Sequence, residues 1–370
     1  MAEPVTGTTE SKTASDGASS QQVGQPLESP NSSPQKKHLM IGQLIALFLV
    51  SIMATTYISA EHLPVAHNLP WGVTGPSSLT TAVQKSTDLE IHQYANQATL
   101  EQAPNQGAIY GGFVSQANTV IVSQAASLKA SLDLPVAYEK AAKAQGVQVR
   151  FLTINKLPPM DPEGVVPIVS VFVLLLAGYL GATMAMQRTK TAARRWRVAA
   201  LFGYAVVAGL AIDLIAGPLL GGYPNIGTNF WILWPEFVFL CFATALLAAT
   251  LQSLIGPLGT LITLIVVVFL GNPSTGGANG VAYLPPFWQS LGGALPPRNG
   301  LILIHNTLYL GGNGITKAGI ILGIYVVVGF AFVTIFSLVR WRADQGAVLN
   351  PDAPVVDSIE ETAVAAIPPG

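Results

Sequence analysis

The chain has 370 residues, of which half are apolar and only 10% are charged, and its formal net charge is -1. With a mean hydropathy of +0.48, it lies far from an ordinary soluble domain, where about 25% of residues are charged. The charge balance also argues against a nucleic-acid partner, because such binding depends on many Lys and Arg side chains facing phosphates. The one cysteine, Cys241, sits inside an apolar run and reads as a buried thiol, so no intramolecular disulfide can form.

Residues 1–39 are rich in Ser, Thr, Gln, Pro and Gly and have almost no apolar anchor, which predicts a disordered tail. The apolar run Met40–Ala60 follows that tail too late to be a cleaved signal peptide and reads as a first transmembrane helix. A mostly polar stretch, residues 61–164, separates it from the next apolar run.

Within that stretch the pattern alternates. Trp71–Gly75, Leu89–Tyr94, Ala108–Val114, Thr119–Ser123 and Val147–Thr153 read as short strands, and Ser77–Gln84, Thr99–Ala103 and Ala125–Ala144 as helices. A small layered α/β domain is expected. His62, His67 and His92 are unevenly spaced and have no acidic pair at ligand spacing, so ordinary surface histidines are favoured over a metal site. Asp161-Pro162 and Glu163-Gly164 read as a turn back into the membrane.

Residues 165–342 hold the remaining spans, expected at Val165–Met186, Val198–Leu220, Phe230–Gln252, Leu254–Leu270 and Ala318–Val339. The fifth of the six is short, and Gly256-Pro257 at its entrance suits a helix start. Residues 343–370 form a second loose, Ala-, Pro- and acid-rich tail. Lys36 and Lys37, the cluster Arg188, Lys190, Arg194, Arg195 and Arg197, and Arg340 with Arg342 all fall on one side of a six-span arrangement. The positive-inside rule makes that side cytoplasmic, with both termini inside and residues 61–164 outside.

Two carboxylates, Asp213 and Glu236, lie within apolar runs at similar expected depth. Intramembrane carboxylates are costly and point to a pathway, a proton relay or a structural pairing. One reading has them line an outward vestibule for a cationic or polar group or a proton; the other has them pair near an interface marked by Tyr223, Trp231 and Trp234. Pro235 predicts a kink beside Glu236.

Before the last span comes a Gly/Pro-broken segment: Gly271-Asn-Pro-Ser-Thr-Gly-Gly, Leu284-Pro-Pro-Phe-Trp288 and Leu295-Pro-Pro-Arg-Asn-Gly300. Pro286–Ala294 and Leu301–Leu310 are too short to cross a bilayer and too apolar for a wet loop, so a reentrant helix pair broken at Pro296-Pro297 is expected. Trp288 belongs to that pair, and Arg298 at the break joins Asp213 and Glu236 as a candidate pathway residue, read as holding lipid headgroups or a carboxylate, or else as a snorkelling surface residue. The chain has no Gly-Lys-Ser/Thr phosphate loop, no His-Glu-x-x-His and no nucleophile elbow, so no catalytic, metal or cofactor site is expected.

An outer domain between spans one and two, five further spans and a broken pair before the last resemble the membrane subunit of type 2 ATP-binding-cassette (ABC-2) transporters. The broken segment, with Leu308-Tyr-Leu-Gly311, Leu69-Pro-Trp-Gly-Val-Thr-Gly-Pro76, Gly107-Ala-Ile-Tyr-Gly111 and Asp161-Pro-Glu-Gly164, looks like the YhgE/Pip-like and DUF3533-like actinobacterial membrane proteins. The resemblance covers residues 40–342. It implies one half of a homodimeric permease in the cytoplasmic membrane, exporting a lipid-like or amphiphilic envelope substrate. ATP would be bound by a separate cytoplasmic ATPase contacting the basic loop 186–198, and membrane lipids would be the other partner. A noncatalytic scaffold or receptor acting through the outer domain is the alternative, and proton coupling through Asp213 and Glu236 is a third reading.

Overall fold

The computed structural model describes residues 33–188 and 194–349. The segment through Ser51 and the body from Ile52 onward are separate compact units. The chain opens with α1 (Ser33–Glu61), a helix that begins ahead of the expected Met40 start. Its apolar stretch from Lys37 to Glu61 is long enough to cross a bilayer.

The polar stretch then folds as β1 (Leu69–Val73), α2 (Ser78–Gln84), β2 (Leu89–Gln93), α3 (Gln97–Gln102), β3 (Gly111–Val114), β4 (Thr119–Ser123), α4 (Leu128–Gln145) and β5 (Arg150–Ile154). The strands form one mixed sheet in the order β2-β1-β3-β4-β5. Its pairs are parallel except for the antiparallel β3–β4 hairpin. Every predicted strand and helix of this domain is present, with ends shifted by a few residues.

Alternation within the strands sends side chains to two faces. Trp71, Phe113 and Val120 join Leu134, Tyr138 and Ala142 of α4 in one core. Ile121 packs with Leu100 of α3 and Ile109 in the other. On this second face a side chain at Gly112 would come within 2.6 Å of the Gly72 carbonyl and 2.7 Å of Leu100, so bare backbone lets α3 lie close. Between β1 and α4, Trp71 Nε1 donates to the Tyr138 hydroxyl at 2.8 Å, and that hydroxyl pairs with Thr80 Oγ1 at 3.0 Å. Burial pushes the Tyr138 phenol up to about 12, so it stays protonated at neutral pH.

The remainder is helical: α5 (Val165–Arg188), α6 (Arg194–Leu214), α7 (Ile226–Ile255), α8 (Pro257–Leu264), α9 (Pro286–Gly292), α10 (Pro296–Tyr309) and α11 (Thr316–Leu349). Counting α1, five helices among the described residues are long and apolar enough to span a membrane. The expected fifth span is the shorter apolar helix Pro257–Gly271, whose last part from Ile265 is wound as a π-helix. Gly256 ends α7 at φ 58, ψ -135, a conformation that breaks the helix, and Pro257 starts the next one without losing a needed donor. A side chain at Gly259 would meet the Leu251 carbonyl at 2.2 Å, so the chain folds tightly back along α7.

Packing in this body centres on α7, which contacts α5, α6, α8, α10 and α11. Its middle is built of small residues, with Ala243, Ala245, Ala248 and Ala249 fully buried. Each long neighbour presents a glycine to it: Gly178 of α5 faces the Cys241 carbonyl, Gly209 of α6 faces Val238, and Gly329 of α11 faces Leu246. Such small contacts let helices pack by van der Waals attraction where lipid provides no hydrophobic drive.

A matched pair of substitutions tests this packing. A Cβ at Gly178 would lie 2.5 Å from the Cys241 carbonyl, whereas a Cβ at Gly203 on α6 would meet nothing within 4 Å. Gly178→Ala is expected to destabilise by about 1–3 kcal/mol through overpacking, and Gly203→Ala to be neutral or slightly stabilising through helix propensity. Thermal unfolding of both proteins in one detergent measures the difference.

Candidate functional site

The Gly/Pro-broken segment is organised around Arg298. This residue is only 5% exposed, on the first turn of α10. Its Nε donates to the Ser274 carbonyl at 2.8 Å and one terminal nitrogen reaches the same oxygen. The terminal nitrogens also donate to the carbonyls of Gln289 at 2.5 Å and Trp288 at 2.8 Å. The guanidinium fork bonds to two carbonyls of α9 while gripping the turn Pro273–Thr275. The expected headgroup, carboxylate or snorkelling role is therefore replaced by a buried knot of backbone acceptors, because a folded loop closes over the charge.

Neighbouring residues fit this knot. A side chain at Gly292 would lie 2.4 Å from an Arg298 terminal nitrogen, and one at Gly271 would lie 2.4 Å from Pro297. Pro296 and Pro297 are buried at the start of α10, where their missing N–H groups cost nothing. Asn299 Nδ2 donates to the Gly293 and Leu295 carbonyls at 3.1 and 2.8 Å. Trp288 packs with Ala60 and Leu284, and Asn272 Nδ2 donates to the Tyr57 hydroxyl at 2.8 Å.

The two intramembrane carboxylates take separate partners. Asp213, fully buried near the end of α6, accepts from the Tyr223 hydroxyl at 2.6 Å. Glu236 of α7 accepts from Thr307 Oγ1 of α10 at 2.7 Å. Each has a second oxygen with no hydrogen-bond partner, and no hydrogen bond joins the two groups among the described residues. Pro235 lies inside α7 without ending it.

The basic cluster is only partly placed. Arg188 ends α5 and Arg194 and Arg195 begin α6, with Arg197 one turn further on, while Lys190 lies outside the described residues. Among the described residues no group of three or more His, Cys, Asp or Glu side chains is arranged to hold a metal ion.

The α/β domain is fastened to the helical body by the same broken segment. Ala282 and Tyr283 join the core beneath α4. The His67 amide donates to the Ala282 carbonyl at 2.8 Å, the Ala282 amide to the Tyr110 hydroxyl at 3.2 Å, and Ser127 Oγ to the Asn279 carbonyl at 2.5 Å. Asp161 is more than a turn residue. Its two carboxylate oxygens accept from the amides of Val165 and Val166, capping α5, and Oδ2 also accepts from Tyr309 at the end of α10.

Between these fastenings lies a cleft of about 300 Å³. One wall belongs to the α/β domain and includes Tyr110, Gln124 and Ala126; the other includes Ala278, His305 and Asn306. Sequence reading missed this site because its walls come from distant segments of ordinary polar residues. Only the density of glycines around 276–280 and 311–314 hinted at exposed backbone.

Long apolar helices with an intervening α/β domain define a multi-pass helical membrane protein. No protein-family model, curated protein or solved structure matches the chain.

The Arg298 knot makes a sharp prediction. Arg298→Lys keeps the charge but cannot span three carbonyls in fixed directions. Each buried carbonyl left unpaired costs about 1–3 kcal/mol, so Arg298→Lys should lower the melting temperature and shift the protein towards aggregates in size-exclusion chromatography. Lys140→Arg, a change at an exposed position of α4, should do neither.

Proposed function

We propose that the chain is the permease subunit of an ABC-2-like exporter, working as a homodimer in the cytoplasmic membrane and energised by a separate ATPase. The substrate class is a lipid-like or amphiphilic envelope molecule. In this reading Pro257–Gly271 is a sixth, shortened span, α9 and α10 are a reentrant pair, both termini are cytoplasmic, and the α/β domain faces outward.

The observation that carries the proposal is the position of the α9–α10 break. The Ala294 carbonyl at that break accepts from the Tyr325 hydroxyl at 3.0 Å, more than two turns beyond the Thr316 start of α11. At 1.5 Å per residue this is about 13 Å along the helix. From there α10 runs back along α7, with Gly300 against Leu240 and Thr307 against Glu236. Broken helices at membrane depth are tolerated where they are buried in protein or line a cavity, a common arrangement in transport pathways. The basic ends of α5 and α6 supply a surface for an ATPase on the other side.

A different observation favours the scaffold or receptor reading. On the α/β domain, Phe151 and Leu152 of edge strand β5 and Leu132 and Val136 of α4 are exposed apolar side chains. An uncovered edge of this kind can accept a partner strand.

Purification in mild detergent separates the two. The export reading expects a stoichiometric ATPase to copurify and ATP-dependent movement of a fluorescent amphiphile in proteoliposomes. Recovery of an outward-facing protein partner, with no ATPase and no transport, would replace it with the receptor reading.

The free carboxylate oxygens give a second test. If Asp213 and Glu236 carry protons during transport, Asp213→Asn with Glu236→Gln should reduce transport at least tenfold and remove its response to a proton gradient. If ATP alone drives movement and the carboxylates only brace the helices, the double variant should transport at the parent rate with a lower melting temperature.

A further inference from the structure

We propose that the cleft between the α/β domain and α10 is a binding site for an uncharged sugar headgroup. The inference stands apart from the export reading, since binding requires neither ATPase nor transport.

The chemistry of the lining selects the ligand class. Its polar side chains include the amides of Gln106, Gln124 and Asn306, the Tyr110 and Thr275 hydroxyls, and the His305 imidazole. Gln124 Oε1 accepts from the Leu157 amide and Asn306 Nδ2 donates to the Asn313 carbonyl, so the Gln106 amide, the Gln124 NH2 and the second Asn306 N–H are the groups left for vicinal hydroxyls. No Lys or Arg lines the cleft, and its one acidic side chain, Glu163, is exposed. A phosphate or carboxylate ligand would therefore meet no fixed positive charge, and a cation would find a single solvent-screened partner.

The shape of the walls supports the same class. Gly107, Gly164, Gly277, Gly280 and Gly314 all line the cleft, and all have positive φ. They bring bare backbone to the surface at positions where other residues are strained. A side chain built at Gly107 or Gly277 would meet nothing within 4 Å, so space is open there. The volume of about 300 Å³ is at the lower end of small-molecule sites, a size suited to one or two sugar rings. Leu301 and Ile302 of α10, with Leu310 just past its end, add an apolar strip against which ring C–H faces can lie.

A sugar of this size can come from a lipid-linked glycan or from a free saccharide, and the probes distinguish them. The full chain, held in phosphatidylcholine nanodiscs, is titrated calorimetrically with maltose, dodecyl maltoside below its micellar concentration, inorganic phosphate and choline, using empty nanodiscs as the blank. Saturable binding of a maltosyl probe is expected. It should weaken at least tenfold in Ala126→Trp and in Ala278→Trp, which fill the cleft from opposite walls, with melting temperatures close to the parent. If either variant misfolds, Gln106→Ala removes one amide without filling the site and should weaken binding several-fold.

Tighter binding of dodecyl maltoside than maltose would identify a lipid-linked source, and equal binding a free saccharide. The proposal is overturned if neither maltosyl probe saturates, if phosphate or choline binds in their place, or if sugar binding is unchanged in correctly folded filled variants.

Discussion

A buried guanidinium answered only by backbone carbonyls sets the form of the segment between Gly271 and Tyr309. Arg298 carries a permanent charge into a site where a bare ion would be prohibitive. Its hydrogen bonds go to Ser274, Trp288 and Gln289, whose carbonyl dipoles are oriented by the turn Pro273–Thr275 and the end of α9. The dependence is mutual. Without the fork these carbonyls lose a charged donor, and without the carbonyls the charge cannot stay buried. Gly271 and Gly292 are part of the same constraint, because side chains there would occupy the space taken by Pro297 and the guanidinium.

The knot matters beyond its own loop because the segment it shapes is also the clasp of the α/β domain. Ala282 and Tyr283 complete a core formed mainly by β1, β3, β4 and α4. Tyr110 and Ser127 reach from the domain to Ala282 and Asn279. A second clasp joins Tyr309 to Asp161 at the start of α5. The domain is therefore held by both sides of the connection that contains Arg298, and the cleft lies between the two holds.

Much of this architecture was legible in the sequence. Short apolar segments between helical stretches identified the strands of the α/β domain, and long apolar runs identified the spanning helices. The Pro257 helix start followed from local backbone chemistry, as did the break at Pro296. What sequence could not supply was the partner of each polar residue. Arg298 looked like a residue for lipid or carboxylate because its three acceptors are backbone atoms, which leave no mark in the side-chain pattern. Asp161 looked like a turn because its second partner, Tyr309, lies 148 positions away. Asp213 and Glu236 were visible as costly groups, but nothing local showed that one is held by Tyr223 and the other by Thr307.

Helical periodicity gives α10 two distinct jobs. Gly300 and Thr307, seven positions apart, face Leu240 and Glu236 of α7, while Leu301, Ile302, His305 and Asn306 face the cleft. Its first turn is fixed by Arg298 and its last by the bond from Tyr309 to Asp161. A helix held at both ends moves as a rod more readily than it bends. α10 therefore links the wall of the cleft to the Thr307–Glu236 contact. Glu236 keeps one oxygen unpaired at that contact, so a displacement of α10 changes the partner of a carboxylate placed where an unpaired charge is most costly. One helix thus joins a wall of the cleft to the interior of the helical body.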